Sequence, residues 1–226
     1  VLSLVDWIES HQGPERRRIG VMGYGEGGMI ALYAGALDPR INTVGVSGYF
    51  GPRENIWEQP ISRNIFGLLE QFGDAELATL IVPRSLVIEA APGPVADLPG
   101  KGGAPAKLAG PDPGDVYTEV KRARQLLASY VDEIPIRLIL GSGLPFGSEP
   151  ALEVFLDNLR LGLKPGPNKP ITPSIPDTTA FEDRQQRLIA AWDQHTQQTL
   201  MRSSYVRKEF MKSLNTSSIS SFEETI

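Results

Sequence analysis

Six consecutive residues, Gly23-Tyr24-Gly25-Glu26-Gly27-Gly28, hold the densest chemical signal in the chain. They follow an apolar run, Ile19–Met22, and precede an Ala- and Leu-rich stretch suited to a helix. A strand, a tight turn and a helix in that order can do two kinds of chemistry. One is a nucleophile elbow of pattern Gly-x-Ser-x-Gly, with Gly23 and Gly27 as the flanking small residues. In that register the nucleophile position is Gly25, and the backbone N–H of Glu26 takes the place of an oxyanion donor at a helix N-terminus. The Glu26 carboxylate also complements the helix dipole, which is the simpler reading of it. The other chemistry is a dinucleotide fingerprint, Gly-x-Gly-x-x-Gly, matched by Gly23, Gly25 and Gly28. It calls for an acid about 20 residues on, at the end of the next strand. That strand ends at Ser47-Gly48-Tyr49, and Asp38 lies before it. Ser47 and Arg53 could meet a 2′-phosphate instead, which leaves an NADP-binding module as an alternative. A third reading is a glycine-rich turn with no chemistry.

The elements that must position these residues alternate between helix and strand. The spacing predicts helices at about 1–11, 27–38, 75–80, 116–131 and 149–161. Strands are expected at 19–22, 43–47, 85–90 and 136–140. Asp74, Asp115 and Ser148 are candidate N-caps. Residues 51–66 read as irregular, and 92–114 as a long Pro- and Gly-rich loop. Strands separated by helices imply an α/β fold with a parallel sheet flanked by helices, its strands buried on both faces. A Pro-rich linker is expected at 164–178. A capping box of Thr179 and Glu182 opens a helical extension to about 213, expected to dock on another surface. A Ser- and Thr-rich tail at 214–226 is expected to be disordered.

With these elements in place, the chain resembles an α/β-hydrolase of the dienelactone hydrolase and acetyl xylan esterase-like group. Three segments carry the resemblance: IGVMGYGEGGMIALYAGALDP at 19–39, VGVSGYFG at 44–51 and VPRSLVIEAA at 82–91. It covers about 1–163, read as the C-terminal half of that fold, because only 18 residues precede the elbow strand. It implies Ser, then Asp or Glu, then His in chain order, forming a serine ester that water hydrolyses. Small-molecule or carbohydrate esters are the implied substrates, and some members of the group are secreted.

The chain departs from that pattern at two of the three positions. Gly25 has no side chain to acylate. No histidine lies in 141–147, after the last strand; His11 and His195 are the only two in the chain. Asp97 is the first candidate for the acid, with Glu89 second. The expectation is therefore a hydrolase relative that is catalytically degenerate, or else an interaction protein using 179–213.

Composition bounds what remains. The 226 residues carry a net charge of -5 with 41% hydrophobic and 22% charged residues, which argues against a nucleic-acid partner. Zero cysteines exclude disulfides, thiol catalysis and Cys-ligated metals. No cofactor and no metal is called for, and no apolar run is long enough to span a membrane. The first residues read as the inside of a helix without Met or a signal peptide, so a processed chain or a fragment is expected, and no compartment can be assigned.

Overall fold

A computed structural model describes residues 1–11, 18–98, 106–140, 146–160, 162 and 179–225. It divides into two compact units, Val1–Pro167 and Asn168–Ile226.

The first unit is the expected α/β layer structure. Strands β1 (Ile19–Tyr24), β2 (Ile41–Ser47), β3 (Ser85–Ala90) and β6 (Ile136–Leu140) form one sheet in the order β1-β2-β3-β6. All three pairings are parallel. Helices α1 (Leu2–His11), α2 (Glu26–Leu37), α3 (Asp74–Ile81), α4 (Pro113–Leu127) and α5 (Glu149–Asn158) cover it. Successive side chains on a strand point to opposite faces. Val44, Val46, Leu86 and Ile88 accordingly join the core shared with α2, α3 and α4. Val87, with Met22 and Ile139, joins a smaller cluster built on Phe155 and Leu159 at α5 and just beyond it.

The packing of α2 against the sheet turns on missing Cβ atoms. A Cβ on Gly23 would lie 2.0 Å from the Gly27 carbonyl oxygen. One on Gly35 would lie 2.3 Å from Val44 Cγ2. The helix therefore runs back along β1 and β2 closer than any side chain allows.

Three caps differ from the expected ones. Asp74 is the first residue of α3 rather than its cap, because the buried Arg53 guanidinium pairs with it at 2.6 Å. The cap falls to Gly73, whose N–H donates to the Glu76 carboxylate (2.8 Å). α4 starts earlier than predicted: Asp112, not Asp115, accepts from the Gly114 N–H, with Pro113 at the first helical position. Ser148 does precede α5, but its hydroxyl makes no capping bond because Glu89 holds it.

The irregular stretch contains three short 3-10 turns, at Ile56–Glu58, Ile61–Arg63 and Leu68–Glu70. Within the long loop, β4 (Ala96–Asp97) and β5 (Lys107–Leu108) pair antiparallel. The second unit holds α6 (Thr179–Phe210) and α7 (Ile219–Glu223). Where a disordered tail was expected, Ser218 caps α7 by accepting from the Ser221 N–H. The linker at 164–178 and the side chains of the Thr179–Glu182 capping box lie outside the described residues. Among the described residues, no helix is long and apolar enough to cross a membrane.

The close approach at the turn gives a paired prediction. Gly23→Ala forces a Cβ into backbone and is expected to cost about 3 kcal/mol or more. Gly27→Ala meets nothing within 4 Å, and should stay within about 1 kcal/mol of the unaltered chain. Denaturant midpoints at constant slope measure both.

Candidate functional site

The site lies where β1, β2 and β3 end, the edge of a parallel α/β sheet at which ligands usually bind. β1 ends at Tyr24 and α2 starts at Glu26, so Gly25 alone makes the turn. Its backbone is at φ 54° and ψ -117°, a left-handed excursion that L side chains rarely adopt. Its N–H donates to the Ser47 carbonyl (2.9 Å), and its carbonyl accepts from the Met29 N–H (3.0 Å). The passage from strand to helix is thus made by a single residue whose N–H and C=O are both engaged.

Of the two flanking positions, Gly23 needs to be glycine and Gly27 does not. Gly23 is required sterically, and a Cβ on Gly28 would be 3.0 Å from the Ser47 carbonyl oxygen. Gly27 faces open space. The N–H of Glu26, the first of α2, has no acceptor one turn back and suits an oxyanion donor. Its side chain accepts from Arg63 Nε at 2.7 Å.

The place a nucleophile would occupy is filled. A Cβ on Gly25 would lie 2.8 Å from both Cγ and Cδ of Pro94. Two contacts hold the Pro94 loop down. The Tyr24 hydroxyl donates to the Pro92 carbonyl (2.9 Å), with the Tyr24 ring tilted against Phe146 at 5.3 Å. Gly93 lies so close to Gly110 and Gly48 that a Cβ would fall 2.5 Å from Gly110 Cα and 2.6 Å from the Gly48 carbonyl oxygen. Nothing in the local sequence distinguished Pro94 from the other prolines of its loop.

The two acid candidates sit in opposite surroundings. Asp97 is exposed on β4, in register with Lys107. Glu89 is buried at 3% exposure and is the register partner of Ser47 on β2. Its Oε2 accepts from Ser47 Oγ (2.5 Å) and the Gly147 N–H (3.0 Å). Its Oε1 accepts from the Ser148 N–H (2.8 Å) and Ser148 Oγ. A carboxylate has about four lone-pair sites, so Glu89 has none left to orient an imidazole. It acts instead as the anion at the N-terminus of α5, supplied by a strand. Burial opposes its ionisation, but the hydrogen bonds from Ser148, Ser47 and the two backbone N–H groups outweigh this and hold its pKa below the usual value.

Next to α2, Tyr49 lies under two guanidinium groups, Arg53 at 3.9 Å and Arg63 at 5.4 Å from the ring centre. Burial, with Asp74 nearby, pushes the Tyr49 phenol far up, so it stays protonated. Arg53 is committed to Asp74 and the Tyr49 carbonyl, and Ser47 to Glu89. The two side chains needed for a 2′-phosphate are thus engaged in the core. Asp38 pairs with Arg40 at 2.6 Å. His11 stacks on Trp7 at 4.5 Å, with Nδ1 2.8 Å from the Trp7 carbonyl. His195 is on α6, in the second unit. Residues 141–145, part of the stretch 141–147 in which the resemblance would place a histidine, lie outside the described residues. No cluster of three or more potential metal ligands occurs among the described residues.

No protein-family model and no curated protein matches the chain. Solved structures do. A glucuronoyl esterase from Solibacter usitatus matches with a TM-score of 0.45 and 16% identity, over 70% of this chain and 46% of that one. A promiscuous CE15 esterase from a marine bacterial metagenome matches with a TM-score of 0.45 and 15% identity, over the same shares. The chain spans less than half the length of either.

The saturated carboxylate predicts a pH-dependent stability term. Its folded pKa is depressed, so the term is complete above the ordinary glutamate pKa of about 4.3. It is lost as pH falls through the lower folded value. Glu89→Gln turns an N–H2 group toward at least one backbone donor. It is expected to cost about 1.5–3 kcal/mol at neutral pH. The gap to the unaltered chain should close as pH falls below about 4, as denaturant titrations at a series of pH values would show.

Proposed function

We propose that the chain carries an α/β-hydrolase-type module of carboxylic-ester hydrolase ancestry whose elbow is catalytically silent. The observation that carries this reading is Gly25 itself. It keeps the positive-φ turn between β1 and α2, yet it has no nucleophile, and Pro94 closes the space above it. A turn of that shape is costly to hold with an ordinary residue, and here it is held without the side chain that it usually presents.

The dienelactone hydrolase-like assignment is the finer part of the proposal. It is supported by the positions of its three segments: 19–39 is β1, the turn and α2; 44–51 is the end of β2; 82–91 is β3. Under the same reading an ester ligand, including a glucuronoyl ester of the kind named for the Solibacter protein, would at most be bound and not cleaved. The missing serine removes acyl transfer, and the filled Glu89 removes the obvious support for a histidine base.

Turnover of p-nitrophenyl acetate tests the proposal. The unaltered chain is expected to give no saturable rate above buffer. Gly25→Ser is expected to remain inactive, because its side chain meets both strain and Pro94, and Gly25→Ser with Pro94→Ala should remain inactive for want of a base. Saturable turnover by the unaltered chain that disappears on changing Glu26 or Pro94 would overturn it.

A further inference from the structure

Away from the elbow, a cavity of about 410 Å³ opens between the irregular segment after β2 and the helices α3 and α4. Its size falls within the range of small-molecule sites, and none of its lining residues belongs to the turn at Gly25. Four glutamates and two arginines line it, which leaves two negative charges in excess. Both arginines are already taken by carboxylates. Arg122 is forked between two of the glutamates, with Nη2 2.7 Å from Glu76 Oε2 and 2.8 Å from Glu119 Oε1. Arg53 pairs with Asp74. The two exposed glutamates of the wall, Glu54 and Glu70, are thus left without a cation in the cavity.

Arg53 adds an independent demand. Its side chain is 7% exposed, and its bonds to Asp74 and to the Tyr49 carbonyl both use Nη2. Its Nε is buried with no hydrogen-bond partner. A buried N–H left unpaired is costly, so an acceptor brought against Arg53 gains a bond that the protein alone leaves unmade. Leu69 and Phe72, both exposed, give the wall an apolar stretch and an aromatic face. No cluster of three or more potential metal ligands occurs among the described residues, so the acid excess is not arranged as a metal site. The chemistry that answers all of these features is an organic cation with an apolar stem and one acceptor group.

We propose that this cavity binds a basic α-amino acid. The cationic side-chain end and the α-ammonium meet Glu54 and Glu70, the methylene stem lies along Leu69 and Phe72, and the carboxylate turns to Arg53. A bare anion is repelled by the acid excess, and a cation without an acceptor leaves Arg53 Nε as it stands. The site requires nothing of the elbow, so it stands or falls separately from the silent-site reading.

Backbone amide chemical shifts of the full chain, titrated with L-arginine at low salt, test this directly. The expected result is a saturable set of shifts centred on Glu54, Glu70 and Gly73, weakening as salt is raised. Glu54→Gln combined with Glu70→Gln, both at exposed positions, should weaken binding by about tenfold in a chain that still folds by circular dichroism. Agmatine has the same guanidinium and amine but no carboxylate. It reads the part played by Arg53 without altering that residue, whose loss would leave Asp74 buried and unpaired. Agmatine carries one more net positive charge, so charge alone makes it the tighter ligand, whereas an acceptor bond to Arg53 makes L-arginine the tighter. The inference is overturned by the lack of any saturable shift up to millimolar L-arginine, by binding unchanged in the double variant, or by agmatine binding at least as tightly as L-arginine.

Discussion

The approach of α2 to the strand before it constrains everything around the site. Gly23 and Gly27 stand so close that a single Cβ on Gly23 would overlap a backbone carbonyl. That contact sets the direction in which the chain leaves β1 and forces Gly25 into a positive φ. It also lays α2 across β2, where Gly35 meets Val44. The Gly25 N–H is then tied to Ser47 at the end of the next strand. One tight turn thus fixes the first helix layer and the upper edge of the sheet together.

A polar latch completes that edge. Glu89 joins the ends of β2 and β3 to the two residues that lead into α5, through Ser47, Gly147 and Ser148. Every lone pair is used, so the carboxylate is a structural anion rather than a proton relay. On the opposite side Arg53 and Asp74 do similar work for the irregular segment and α3. The hydrolase pattern asks its polar residues to remain available to a substrate. Here the well-placed ones are spent on holding elements together, which agrees with the absence of a side chain at Gly25.

The strands and helices of the first unit were legible because their apolar runs are short, bounded by Gly, Pro or Asp, and buried as the pattern requires. Val44 and Ile88 illustrate this, at 0% exposure each. The tight turn between β1 and α2 was legible because glycines are dense there, at Gly23, Gly25, Gly27 and Gly28. The caps were less so: Asp74 and Asp115 look as able to cap as Asp112, and only tertiary pairing with Arg53 removes Asp74 from that role. The acid candidates were ranked by their place after β3, and no local signal announces that four donors from Ser47, Gly147 and Ser148 converge on Glu89. Pro94 was invisible for the same reason: its effect depends on Gly93 resting against Gly48 and Gly110, a contact between distant segments.

The central claim is that this elbow presents no nucleophile. Incubating the unaltered chain with a fluorophosphonate, which captures activated serines, and mapping the modified peptides tests it most directly. The account predicts no covalent adduct on any serine of the first unit, Ser47 and Ser148 included, because both hydroxyls are held by Glu89. Stoichiometric labelling of either one would contradict it.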